Sequence, residues 1–227
     1  MRAVVVLFPG LNADAEMIRT LRLAGTDVTT VWHAETSLPP GTDLVAIPGG
    51  FSYGDYLRCG AIAKVGGIMK AVAAHAARGG YVLGVCNGFQ ILTECGLLPG
   101  ALTRNLNLRF DCRDIFVKVV ADGPFSPAKE TVLRLPIAHG EGRYQATTEV
   151  LARLEGEGQI ALRYCEESGL VSPAANPNGS LSNIAGIYGG PKKNVFGLMP
   201  HPERMSEMCL GGTGGLEVFQ AVVRAAA

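Results

Sequence analysis

Residues 81–90 read Tyr81-Val82-Leu83-Gly84-Val85-Cys86-Asn87-Gly88-Phe89-Gln90, an apolar run followed by a cysteine with a glycine two places to either side. This is the pattern of a nucleophile elbow with cysteine in place of serine, a sharp strand-to-helix turn that lifts a reactive atom above a sheet. The glycines give clearance, because the turn brings neighbouring backbone so close that a Cβ two residues away would collide. At the head of the following helix, the dipole and free amides favour a thiolate and can hold a developing oxyanion. The reading predicts an exposed, reactive Cys86 at the carboxyl edge of a β-sheet.

Around the elbow, short apolar runs alternate with helical patterns, which argues for β-α units and an open, mostly parallel α/β sheet flanked by helices. Val4 to Phe8 reads as a first strand, and 13–24 as a helix with Met17, Ile18, Leu21 and Ala24 on one face. Asn12 or Asp14 can cap that helix and Gly25 end it. Val28 to Trp32 and Leu44 to Ile47 are the second and third strands, the latter stopping at Pro48-Gly49-Gly50. A helix over roughly 61–78 carries the stripe Ile62, Val65, Met69, Val72 and Ala76. Beyond residue 96 the alternation loosens. Strands at 115–120, 132–137, 160–164, 184–188 and 195–199, with few helices between them, read as added, partly antiparallel strands before a last helix at about 213–225. The Pro-, Asn-, Gly- and Ser-rich segment 168–182 reads as a surface loop. No repeat or linker interrupts residues 1–227, which read as one domain.

Twenty Lys and Arg balance 20 Asp and Glu, so nothing here attracts nucleic acid or an anionic membrane, and neither is an expected partner. The apolar run Ala3 to Phe8 is too short for a signal or a span and ends at Pro9-Gly10; the expected location is the cytoplasm. Six scattered cysteines and four histidines lack disulfide or metal-ligand spacing, so no metal site is expected, and every cysteine but Cys86 reads as a small buried hydrophobe. Neither a phosphate-cradling loop nor a dinucleotide fingerprint occurs, so the chain is expected to bind no ATP itself.

A thiol nucleophile needs a histidine to take its proton and return it to a leaving group, and a carboxylate to hold the imidazole. The chain offers two His-x-Glu units, His139-Gly140-Glu141 and His201-Pro202-Glu203. The second is favoured, because it follows a good buried strand and its prolines restrict the backbone where the side chains must be aimed; either unit could still reach Cys86. Gly49-Gly50-Phe51, after the third strand, can supply an oxyanion-hole amide beside that of Asn87, and Gln90, one turn on, can meet a polar substrate group.

Taken together, Gly84-Val85-Cys86-Asn87-Gly88-Phe89-Gln90, the stretch Pro48 to Arg58 and Met199-Pro200-His201-Pro202-Glu203-Arg204 resemble the class I, triad-type glutamine amidotransferases over essentially the whole chain. Gly49 to Arg58 with the following Cys59-Gly60-Ala61, Arg109 to Arg113 and Pro136 to Tyr144 are similar to the branch that serves de novo purine biosynthesis. The resemblance implies a glutaminase: Cys86 attacks glutamine and forms a thioester, and His201, oriented by Glu203, acts as base and acid. It implies an oxyanion hole at Gly50 or Phe51 and Asn87, substrate contact at Gln90, and a glutamine pocket or partner face around His139 and Gly140. It also implies that ammonia passes to a large synthetase subunit holding ATP and Mg2+, with a small bridging subunit, and that this chain holds no cofactor. Arg104, Arg109 and Arg113 are candidate partner contacts. Ala13 stands where the family often has a cysteine, outside the triad. Two rival readings are a DJ-1/PfpI-like cysteine hydrolase, which would lack the terminal His-Pro-Glu, and a non-catalytic partner-binding subunit.

Overall fold

The computed structural model describes residues 1–226. The strands are β1 (Arg2–Leu7), β2 (Asp27–Trp32), β3 (Leu44–Ile47), β4 (Tyr81–Val85), β5 (Ala101–Thr103), β6 (Asp111–Val119), β7 (Val132–His139), β8 (Arg143–Gln145), β9 (Ile160–Cys165), β10 (Ile184–Gly189) and β11 (Val195–Leu198). The helices are α1 (Asp14–Leu23), α2 (Gly67–Ala77), α3 (Asn87–Glu94), α4 (Thr148–Gly156) and α5 (Leu216–Ala225). Nine strands form one mixed sheet in the order β2-β1-β3-β4-β11-β10-β9-β6-β7, and β5 and β8 form a small ribbon of their own.

The half of the sheet from β2 to β11 is parallel, and the pairings beyond β11 are antiparallel. β3 and β11 are buried at every residue, as strands with helices over both faces must be. Parallel register then sets the site. Ile47 lies opposite Gly84, and Leu198 opposite Val85, so three neighbouring strands end side by side at Gly49-Gly50, Cys86 and His201. The Cys86 amide closes this row by donating to the Leu198 carbonyl at 2.8 Å. The antiparallel arm supplies the remaining wall: it turns back over the strand ends, where the Pro136 carbonyl accepts the His201 N–H at 2.8 Å.

Several elements differ from their sequence reading. The helix expected over 61–78 breaks at Gly66, whose extended backbone separates a 3-10 turn at Ala63–Val65 from α2 and leaves Val65 exposed rather than inward. Neither Asn12 nor Asp14 caps α1; Ala13 occupies the cap position without a side-chain bond. Helix α4 was not expected, although its Thr147 hydroxyl accepts from the Val150 amide as a conventional N-cap and Leu154 faces the core. The loop at 168–182 is there, yet Asn178 and Ser180 within it are buried, because their side chains hold the backbone of residues 142–144. Cys112 and Cys209 are exposed, not buried.

Candidate active site

The elbow is drawn as tightly as its glycines suggest. Cys86 has φ 51° and ψ −106°, a region that non-glycine residues enter only under local strain. A Cβ on Gly84 would lie 2.6 Å from the Gly88 carbonyl oxygen, and one on Gly88 would overlap the Ile47 carbonyl. Because the obstacle at Gly88 is backbone, it cannot rotate away. Gly88→Ala is therefore expected to cost about 3 kcal/mol and lower Tm by roughly 6–12 °C in thermal unfolding. Gly156→Ala, at the end of α4 with nothing within 4 Å, should be neutral or slightly stabilising; equal losses at both positions would contradict the clearance argument.

Cys86 is 5% exposed, not open to solvent as the elbow pattern suggests. The returning β7 covers it: the Ala138 carbonyl lies 3.8 Å from Sγ. The thiol opens instead on two adjoining cavities that share Gly50, Phe51, Phe110 and Ala138 as walls. One, of about 180 Å3, extends toward Asp55, Cys59, Gln90, His139, Gly140 and Glu141. The other, of about 90 Å3, extends toward Asn12, His201 and Arg204.

His201 and Glu203 are 1% exposed, and Nδ1 of the ring donates to Oε1 of the carboxylate at 2.6 Å. The link is short because Pro202–Arg204 form a 3-10 turn that brings the second residue back over the first. Nε2 has no hydrogen-bond partner among the described residues and faces the Cys86 side, where a Cβ on Gly49 would sit 2.6 Å from the ring and 3.3 Å from Cys86 Cβ. Only glycine at 49 lets ring and thiol share that space. Burial works against a charged ring here, but the Glu203 carboxylate and Cys86 outweigh it and push His201 up to about 10.

The other unit behaves differently. His139 is buried beside Gly142, and Glu141 reaches Arg104 at 3.7 Å instead of the ring. Burial pushes His139 down to about 4. A histidine held neutral in the fold but free to protonate when unfolded makes stability fall as pH drops from about 6.5 toward 4. The expected loss is about 3 kcal/mol over that window. His201 adds no slope there, since its raised value leaves it protonated in both states below about 6.5; its contribution is lost only as pH rises toward 10. Denaturant titrations of His139→Gln should show a flatter acid limb than the parent, and an unchanged limb would refute the assignment.

The oxyanion candidates separate on their hydrogen bonds. Phe51 donates its N–H to the Gly10 carbonyl at 2.9 Å, so this amide is already engaged, contrary to the sequence expectation; its ring lines both cavities. Gly50 and Asn87 remain, and their amides have no partner among the described residues. The Asn87 side chain is buried, accepting from the Ser52 amide at 3.2 Å and donating to Gln90 Oε1 at 2.9 Å and Asp55 Oδ1 at 3.3 Å. Gln90, also buried, donates to the Glu141 carbonyl at 2.7 Å and so ties 139–141 to the elbow helix. Asn105 secures the same segment from outside through the His139 carbonyl at 2.9 Å and the Gly142 amide at 3.0 Å.

Asp55, Cys59, Phe110 and Asn105 were not singled out from sequence. Asp55 stands in the Gly49 to Arg58 stretch and could have been; Asn105 carries no local signal. Arg104 and Arg109 border a further depression beside Glu141, while Arg113 pairs with Asp111 at 3.1 Å. Among the described residues no group of three or more His, Cys, Asp or Glu could hold a metal, and no helix is long and apolar enough to cross a membrane.

Residues 1–211 match the model of the CobB/CobQ-like glutamine amidotransferase domain. The chain is 54% identical over 228 residues to the phosphoribosylformylglycinamidine synthase subunit PurQ of Bradyrhizobium diazoefficiens, covering 99% of this chain and 97% of that one. It is 53% identical to the PurQ subunit of Nitrobacter winogradskyi over 98% of this chain and 97% of that one. Among solved structures, one chain of PurLQS from Thermotoga maritima superposes with a TM-score of 0.86 at 39% identity, covering 100% and 99% of the two chains. This chain belongs to the CobB/CobQ-like glutamine amidotransferase family and, within it, to the PurQ subunits of phosphoribosylformylglycinamidine synthase.

Proposed function

We propose that Cys86, His201 and Glu203 are the triad with which this subunit hydrolyses glutamine for the synthase. The observation that carries the reading is the buried His201–Glu203 pair at 2.6 Å set beside the strained elbow of Cys86. Cys86 Sγ attacks the side-chain carbonyl carbon of glutamine, and the resulting oxyanion is held by the Gly50 and Asn87 amides. His201 carries the thiol proton and gives it to the departing nitrogen, so ammonia leaves and a γ-glutamyl thioester remains. The same ring then takes a proton from water as its oxygen attacks the thioester; glutamate leaves and the thiol is restored. Glu203 holds Nδ1 throughout, which keeps Nε2 for Cys86.

Ammonia passes to a synthetase subunit, where ATP and Mg2+ drive conversion of formylglycinamide ribonucleotide to its amidine; a small third subunit bridges the two, and the reaction belongs to the cytoplasm. Arg104 and Arg109, at the rim beside Glu141, are partner contacts in this reading. Adding hydroxylamine to the assembled complex during turnover tests the thioester. γ-Glutamylhydroxamate should accumulate in place of glutamate, whereas steady ammonia release with no hydroxamate would count against a covalent route.

A further inference from the structure

We infer that the carboxylates of Asp55 and Glu141, which line the larger cavity together with Cys86, bind the α-ammonium group of glutamine and so select the free amino acid over other amides. The inference rests on the glutaminase reading above and extends it to the end of the substrate that does not react.

The two cavities at Cys86 divide the substrate by size. With its side-chain amide at Sγ, glutamine must extend its amino-acid end into one of them, and the 180 Å3 cavity is twice as roomy as the 90 Å3 one on the His201 side. Among the described residues no lysine or arginine lines the larger cavity, yet Asp55 and Glu141 do. Burial, with Glu141 close enough to add repulsion, holds Asp55 above the usual carboxylate range even though Cys59 and Asn87 donate to it. Those donors are neutral, and the nearest cation to Glu141 is the exposed Arg104 outside, at 3.7 Å. A cation entering the cavity would relieve both groups at once.

An independent feature of the same wall points to a ligand with a second polar end. His139, 3% exposed, lines the cavity, and its Nδ1 has no hydrogen-bond partner among the described residues. Asn178 Nδ2 lies 3.5 Å from Nε2, which makes Nε2 the acceptor and leaves the proton on Nδ1. An unpaired donor beside two carboxylates, one held only by neutral donors and the other 3.7 Å from an exposed arginine, is the complement of a zwitterionic amino acid.

The test compares L-glutamine with glutaramate, which is glutamine without its α-amino group, in the assembled synthase. Asp55→Asn keeps the shape and an acceptor for its neighbours while removing the charge. It should raise KM for glutamine about 30-fold with kcat changed less than about threefold, and leave KM for glutaramate within about twofold. The parent should show a KM for glutaramate well above that for glutamine, and Glu141→Gln should follow Asp55→Asn with a smaller shift. Equal changes for both substrates, or a fall in kcat at constant KM, would overturn the inference, because Asp55 would then act only through Asn87 and the elbow. Absence of ammonia from glutamine with the parent complex would instead overturn the glutaminase reading itself.

Discussion

Cys86→Ala is expected to reduce glutamine-driven synthesis by the assembled complex on the order of 10,000-fold or more, while synthesis from added ammonia continues. The separation follows from where the two chemistries lie. Removing Sγ removes the only atom that forms the acyl bond, and no other cysteine can substitute: Cys59, the next thiol along the cavity, donates to Asp55 at 3.0 Å and is held firmly protonated by burial and that carboxylate. The substitution also leaves the fold intact. Cys86 keeps its place through its amide bond to Leu198 and the glycines around it, and alanine accepts the same backbone at a similar strain. Glutamine-dependent and ammonia-dependent rates, measured on one preparation, decide the matter. Surviving glutamine turnover would remove Cys86 from the mechanism; a purely partner-binding subunit would show no difference between parent and variant.

Much of this site was legible because parallel strands translate sequence into position. Once 44–47, 81–85 and 195–198 are read as adjacent apolar strands, their carboxyl ends must converge, and whatever follows them becomes a site. Gly49, Cys86 and His201 follow them. The rest depends on the antiparallel arm, whose path is set by twist and long-range register, not by any local pattern. Nothing in Pro136 to Gly140 says that β7, at the opposite edge of the sheet from β2, folds back to put Ala138 over the thiol. The same fold-back explains why Cys86 reads as exposed from its turn yet is buried. Asn105, Asn178 and Ser180 were missed for a related reason: polar residues in irregular segments look solvated until the backbone they satisfy is seen. Asp55 differs again. It follows Tyr53 and Gly54, all three at positive φ, and only that left-handed path turns its carboxylate toward Asn87 rather than solvent.

The two His-x-Glu units, which differ only in the residue between histidine and glutamate, are expected to part by orders of magnitude when mutated. His201→Ala should lower glutamine-dependent kcat roughly 1,000-fold or more, and Glu203→Gln should approach that loss because a neutral amide no longer stabilises the imidazolium. His139→Ala should act mainly on KM and stability, with kcat reduced less than about tenfold. The distinction is geometric. A proline between His201 and Glu203 starts a 3-10 turn that stacks carboxylate on ring, so the pair closes at 2.6 Å and the free Nε2 faces the nucleophile. A glycine between His139 and Glu141 lets the chain leave β7 without such a turn, so Glu141 points to Arg104 and the ring stays neutral among Gly142 and Asn178. A base must be both oriented and able to carry a proton at neutral pH; His201 meets both conditions and His139 neither. Steady-state kinetics on the three variants, with ammonia-dependent synthesis as the control for assembly, provide the comparison, and a larger kcat loss at His139 than at His201 would reverse the assignment of the base.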